Sequence, residues 1–208
     1  MDSHRPIIYI VDDDLSVCRA LSLLLKSHGF KVQAFMRAAD FLAFKRLKVP
    51  SCLILDVRLP GINGLAFQEV MKRKGVSTPI IFITGHGDIP MSVKAMKAGA
   101  VDFISKPFTE KKLLNAITPA ILKSKAQNKE QAEISKIKRR IKTLSPRELE
   151  VFWLVAKGML SKQIARKRGT SLQTIKVHRG RVMQKLQAKT VTELIHFAQK
   201  AKIISSPH

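Results

Sequence analysis

Cys52-Leu53-Ile54-Leu55-Asp56, continued by Val57-Arg58-Leu59-Pro60-Gly61, is the stretch whose reading decides the fold. An apolar run too short for a helix, ending on a carboxylate and then a Pro-Gly turn signal, reads as a buried parallel strand. Asp56 then stands at the C-terminal mouth of that strand, where open α/β sheets leave a crevice for ligands. One acid at a strand end serves equally well as a helix cap or a turn residue. What matters is whether other reactive groups converge on the same mouth.

Four further positions suggest that they do. Ile7-Ile8-Tyr9-Ile10-Val11 is a second apolar run and delivers Asp12, Asp13 and Asp14; Ile80-Ile81-Phe82-Ile83 ends in Thr84; Val101-Asp102-Phe103-Ile104 is followed by Ser105, Lys106 and Pro107. Between these runs lie helical patterns at residues 15–28, 40–47, 66–74, 91–97 and 110–117, with an alternating strand at residues 31–35. Strand and helix thus alternate five times, which predicts an α/β doubly wound, five-stranded parallel sheet with right-handed crossovers and helices on both faces.

Pro119 follows Thr118, and proline is a poor helix-interior residue, so the fifth helix is expected to stop or kink there. Residues 119–142 are rich in Lys, Glu, Gln and Ala, with Ile134, Ile137 and Ile141 followed by Leu144 at spacings of three and four. This is a helical linker whose thin apolar stripe suits either a solvated helix or a pairing face.

The last segment, residues 143–208, is punctuated for a small all-α domain of four helices. Ser145-Pro146-Arg147-Glu148 is a capping box with Leu144 placed as a hydrophobic staple. Ser161 is expected to cap a short second helix that ends near Gly169, Ser171 a third running to Leu186, and Thr190-Val191-Thr192-Glu193 opens a fourth to about residue 202. A short helix, a glycine turn and a longer basic helix describe a helix-turn-helix, whose second helix enters the DNA major groove. On that helix Ile175, His178, Val182 and Leu186 share the inward face, with His178 read as a packing and hydrogen-bonding residue. Gln173, Lys176, Val177, Gly180, Arg181 and Gln184 share the outward face, where amide, apolar and cationic groups suit base edges, thymine methyls and phosphates. Phe152 and Trp153 read as core. The final helix carries Val191, Leu194, Ile195 and Ala198 on one stripe, for packing or for pairing.

The formal charge of +23 is uneven. Residues 1–122 hold 17 Lys and Arg against 10 Asp and Glu, and residues 123–208 hold 21 against 5. So basic a C-terminal part implies a polyanionic partner, and with a helix-turn-helix pattern that partner is double-stranded DNA. No apolar run approaches the roughly 18 residues a membrane span requires, and the N-terminus is no signal peptide, so a cytoplasmic protein is expected. Cys18 and Cys52 are too far apart in sequence for a zinc or disulfide framework and read as buried thiols.

With these residues in hand, the chain resembles a known family over nearly its whole length. Residues 1–118 resemble a response-regulator receiver domain of the flavodoxin/CheY-like fold, and residues 143–208 a LuxR-type helix-turn-helix of the FixJ/NarL group. Thr84-Gly85-His86-Gly87-Asp88-Ile89-Pro90-Met91, Lys94-Ala95-Met96-Lys97-Ala98-Gly99-Ala100 and Lys106-Pro107-Phe108 are especially similar to FixJ-like regulators. The resemblance implies that Asp56 is phosphorylated by a sensor histidine kinase. It implies a magnesium ion held by Asp12, Asp13, Asp56 and the Arg58 backbone carbonyl, phosphoryl contacts from Thr84 and Lys106, and Phe103 as the switch aromatic. It further implies a homodimer formed on phosphorylation through the fourth and fifth receiver helices, with RNA polymerase as a further partner.

The chemistry agrees with that resemblance. Phosphoryl transfer to a weakly nucleophilic carboxylate depends on positioning and on cations that neutralise the gathering charge. Magnesium held by few carboxylates plus waters suits this, and Lys106 supplies a compact positive charge. The competing readings are an aspartyl-phosphate phosphohydrolase and a constitutive DNA-binding regulator with a vestigial receiver. The first lacks a substrate-specificity insert and an acid-base partner near Asp56, so no enzyme is expected. Arg168 and Thr170 depart from the aliphatic residues usual at these positions, which predicts looser packing of the second helix and an additional cation for DNA. Gly180 stands where some relatives carry a base-contacting lysine.

Overall fold

The structure, a computed structural model, describes residues 5–85 and 89–201. His86, Gly87 and Asp88 of the FixJ-like motif and the expected helix end at residue 202 lie outside the described residues. The chain divides into two compact units, one through residue 129 and one from residue 130. Among the described residues no helix is long and apolar enough to cross a membrane.

In the first unit the apolar runs form the strands they predict: β1 (Ile7–Val11), β2 (Lys31–Phe35), β3 (Ser51–Asp56), β6 (Ile80–Thr84) and β7 (Asp102–Ser105). They pair in parallel in the order β2-β1-β3-β6-β7. A separate two-stranded ribbon of β4 (Arg58–Leu59) and β5 (Ile62–Asn63) carries the chain out of β3. Every residue of β1, β3 and β6 is buried, as a sheet covered on both faces requires. Alternate residues feed two cores. Tyr9, Leu55 and Phe82 face α2 (Ala38–Ala43), α3 (Gly64–Arg73) and α4 (Ile89–Lys97), while Ile10, Ile54 and Ile83 face α1 (Leu15–Ser27) and α5 (Glu110–Ile141). Cys18 and Cys52 are buried and free, and burial pushes the Cys52 thiol up to about 12.

Two helical expectations fail here. The second helix covers Ala38–Ala43 rather than residues 40–47, because the Arg37 guanidinium pairs with Asp40 at 2.8 Å in its first turn and Phe44 is already extended. Pro119 does not stop the fifth helix, which runs through it to Ile141. An interior proline costs about 3 kcal/mol. Burial of Leu113, Ala116, Ile117 and Ala120 against the sheet offsets that cost, and the Ser51 amide donates to Ser124 Oγ at 3.0 Å further along.

The second unit holds the end of α5 with α6 (Pro146–Ala156), α7 (Ser161–Arg168), α8 (Leu172–Leu186) and α9 (Val191–Lys200) around Phe152, Ile164, Leu186 and Leu194. Phe152 is fully buried, but Trp153 is only half-buried and stands outside that core. Ser161 does not cap α7; it is the first helical residue. Leu160 takes the cap position, its amide donating to the Gln163 side chain at 2.8 Å, while Ser161 Oγ accepts from Arg179. Ser145, Ser171 and Thr190 do cap α6, α8 and α9.

Glu148 ties this unit together. Its buried carboxylate accepts the Ser145 amide at 2.8 Å and the Lys185 ammonium at 2.6 Å, joining the start of α6 to the end of α8. Lys185, followed by the Ser145 hydrogen bond, holds the carboxyl below the usual glutamate range. A depressed pKa stabilises the fold above the unfolded value of about 4.3 and is lost as pH falls through the folded value. Glu148→Gln should therefore destabilise the unit by about 1–2 kcal/mol at pH 7, with the difference vanishing in acid. Urea unfolding followed by Trp153, the sole tryptophan, measures it.

Candidate functional site

Parallel pairing of β1, β3 and β6 brings Asp12, Asp56 and Thr84 to one end of the sheet, and β7 adds Lys106. The Lys106 ammonium joins the two acids, 2.8 Å from Asp12 Oδ2 and 3.4 Å from Asp56 Oδ1. Asp12 and Asp56 are 2% and 6% exposed, so two carboxylates share one ammonium in a largely buried mouth. Burial pushes the Asp56 carboxyl above its ordinary value, against the opposing pull of Lys106, and Asp12 adds to the rise. Lys106 is itself held above its ordinary range: desolvation opposes its charge, but the hydrogen bond to Asp12 and the field of both acids outweigh it.

Backbone donors fix both carboxylates. The Arg58 amide donates to Asp56 Oδ2 at 2.8 Å and the Asp14 amide to Asp12 Oδ1 at 2.9 Å. Thr84 is fully buried at the end of β6, and its carbonyl accepts the Lys106 amide at 2.7 Å, which locks these two residues in register. Phe103 is half-buried against the inner core, its ring 6.1 Å from that of Phe82. Asp13 is exposed. Among the described residues no three His, Cys, Asp or Glu side chains form a metal cluster, so Asp13 does not complete a triad with Asp12 and Asp56. A hard dication that keeps most of its waters needs only one or two carboxylates, and this pair, left with one excess negative charge beside Lys106, fits magnesium.

The capping role of Asp14 and the position of Gly64 escaped the reading of the sequence. Asp14 is the N-cap of α1, accepting the Ser16 amide at 2.8 Å; the succession Asp14-Leu15-Ser16 ahead of an amphipathic run was the available signal. Gly64 opens α3 directly beneath Asp56, where a Cβ would stand 2.6 Å from the Asp56 carbonyl oxygen and 3.0 Å from the Val57 Cα. Both are backbone atoms and cannot swing aside. Gly64→Ala should cost about 1–3 kcal/mol by overpacking, as a lowered thermal midpoint in far-ultraviolet circular dichroism would show.

In the second unit Gln173, Lys176, Val177, Gly180, Arg181 and Gln184 all lie exposed on α8, opposite buried Ile175, Val182 and Leu186. Nothing stands within 4 Å of a Cβ built at Gly180. One expectation needs correction. His178 is half-buried, but its Nδ1 is buried with no hydrogen-bond partner among the described residues, so it packs without the second role assigned to it. The Arg168 guanidinium pairs with Glu150 of α6 at 2.5 Å.

Comparison with known proteins agrees with this geometry. Residues 8–118 match the family described as the response regulator receiver domain, and residues 142–198 the luxR family of bacterial regulatory proteins. Nodulation protein W of Bradyrhizobium diazoefficiens is 45% identical over 95% of this chain and 87% of its own length. Transcriptional regulatory protein FixJ of the same organism is 39% identical over 95% and 97%. A low-resolution structure of the response regulator StyR superposes with a TM-score of 0.76 at 40% identity, covering 94% of this chain and 99% of that one.

Proposed function

The chain belongs to the response-regulator family, pairing a receiver domain with a LuxR-type DNA-binding domain, and from that premise we propose a phosphorylation-activated transcriptional regulator whose acceptor is Asp56. The observation that carries this reading is the Lys106 ammonium bridging buried Asp12 and Asp56, residues 94 and 50 positions away in sequence. An Asp56 oxygen attacks the phosphorus of a phosphohistidine on a sensor histidine kinase; the P–N bond breaks and the histidine nitrogen takes up a proton. The Arg58 amide fixes the rotation of the carboxylate, and Lys106 supplies positive charge to the incoming phosphoryl oxygens. Asp12 and Asp56, with the Arg58 carbonyl, would hold magnesium, which supplies the remaining charge neutralisation when bound.

The new phosphoryl oxygens then attract the Thr84 hydroxyl and Phe103 turns inward, so that a local charge event alters the surface of α4 and α5. Dimerisation through that surface sets two LuxR-type domains on adjacent half-sites, and the promoter-bound dimer acts with RNA polymerase. Titrating the full chain with beryllofluoride and magnesium should produce dimers in sedimentation and raise affinity for specific DNA about a hundredfold, the low end of what linked sites gain. Affinity unchanged by beryllofluoride would establish the constitutive DNA binder with a vestigial receiver instead.

A further inference from the structure

The two ends of α8 are held by different parts of the chain. Its first turn is capped by Ser171, whose hydroxyl accepts the Thr174 amide at 3.0 Å. Its last turn ends on Gln187, the only non-glycine residue with a positive φ, 55°, among the described residues. That left-handed backbone is disfavoured for a residue with a Cβ, and the last carbonyls of a helix lack partners within it. A guanidinium answers both needs. Arg140, in the last turn of α5, donates through Nη1 to the Leu186 carbonyl at 3.2 Å and through Nη2 to the Gln187 side-chain oxygen.

Further contacts hold the end of α5 in the same place. Lys185 donates to the Thr143 carbonyl at 3.3 Å, and Lys200 of α9 pairs with Glu133 at 2.5 Å. Ile137 is buried, and Ile141 packs against the core that contains Phe152 and Leu186. Residues 133–143, a linker by composition, are thus built into the second unit. They set a cation on the negative end of the α8 dipole.

We propose that Arg140 is a positioning residue for DNA recognition, holding the last turn of α8 so that Arg181 and Gln184 keep their register with Gln173 and Lys176 on the exposed face. The inference rests on the reading of α8 as the helix that contacts DNA. Arg140 acts through α8 and is not itself a DNA contact. Without it the Leu186 carbonyl and the Gln187 side chain lose their partner, and the C-terminal end of α8 frays. The N-terminal end, capped by Ser171, stays formed.

Arg140→Met keeps side-chain length and helix propensity while removing the guanidinium. In hydrogen exchange on the full chain, amides of residues 184–187 should exchange about fivefold faster, the scale of one charge at a helix end, and those of residues 176–179 should not change. Binding to a duplex that the wild-type chain selects from random sequence should weaken about fivefold, with affinity for unselected DNA and the slope against log salt unchanged. A lost phosphate contact would instead lower that slope by about 1. Arg140→Met should add little to the loss caused by Gln184→Ala, but its full effect to that of Gln173→Ala. Arg140→Lys, which returns a cation to the helix end, should recover most of the loss. Gln187→Asn, which suits the left-handed backbone but is one methylene shorter, gives a second variant with a smaller loss of the same kind. Unchanged exchange at residues 184–187, a lowered salt slope, or equal additivity with Gln173 and Gln184 would overturn this proposal alone. A wild-type chain that selects no duplex would overturn it together with the reading of α8.

Discussion

Asp56→Asn should take up no label from a radioactive phosphodonor or from a phosphorylated kinase, where the wild-type chain is labelled stoichiometrically. An amide nitrogen or carbonyl oxygen is not the nucleophile that phosphoryl transfer requires, and among the described residues no other acid is comparably placed: Asp12 is bound at 2.8 Å by Lys106, and Asp13 is exposed. The variant should also be no less stable, which separates lost chemistry from lost structure. Burial raises the Asp56 carboxyl above its unfolded value, so its contribution is favourable while it stays protonated and is lost as pH rises through the folded value. At pH 7 the ionised, buried carboxylate is therefore a net cost. Asparagine keeps an acceptor oxygen for the Arg58 amide and removes that cost, a gain on the order of 1 kcal/mol, or about 4 °C in Tm. A labelled Asp56→Asn chain would place the acceptor elsewhere. An unlabelled but unfolded one, seen by circular dichroism, would mean that burial of this charge is not the strain inferred here.

That Asp12, Asp56, Thr84 and Lys106 meet at one end of the sheet was legible in the sequence because a doubly covered sheet constrains sequence strongly. β1, β3 and β6 are buried on both faces, so only continuous apolar runs can form them, and any acid must lie at their ends. Asp12, Asp56, Thr84 and Lys106 stand out for that reason, and parallel pairing necessarily gathers them. The outward face of α8 was legible for the complementary reason that a 3.6-residue period separates Ile175, Val182 and Leu186 from the polar positions. What local pattern could not convey were features decided by distant contacts. Pro119 lies in a helix because Ala116 and Ala120 pack on the sheet, and nothing in the succession Thr118-Pro119 reports that burial. Arg168 pairs with Glu150, eighteen residues earlier, a contact that no local pattern reports. Gly64 carries no signal of its role in the sequence, since its closeness to the Asp56 carbonyl exists only once α3 has docked.

The largest loss of DNA binding should follow from Lys176→Ala with Arg181→Ala. Both side chains are exposed on α8 and face away from its buried stripe, so alanine, a strong helix former, preserves the unit while removing two positive charges. Affinity for specific DNA should fall about a hundredfold or more at low salt, since each contact to phosphate or base is worth roughly 1–3 kcal/mol. Salt dependence tells the two roles apart. If both cations neutralise phosphates, the slope of log affinity against log salt should decrease by about 2; if Arg181 or Lys176 instead reads a guanine edge, it should decrease by about 1 and discrimination at that base should relax. Removing two charges from the general excess of +23 would weaken all polyanions slightly, so Lys157→Ala with Lys189→Ala is the control for bulk charge. These lysines are also exposed but lie beyond α6 and α8. Equal effects of the two pairs on fluorescence anisotropy of a labelled operator would show that charge alone, and not the face of α8, drives binding. A loss confined to the α8 pair would assign the contact to that face, because two variants of identical net charge would then differ only in where the cations stood.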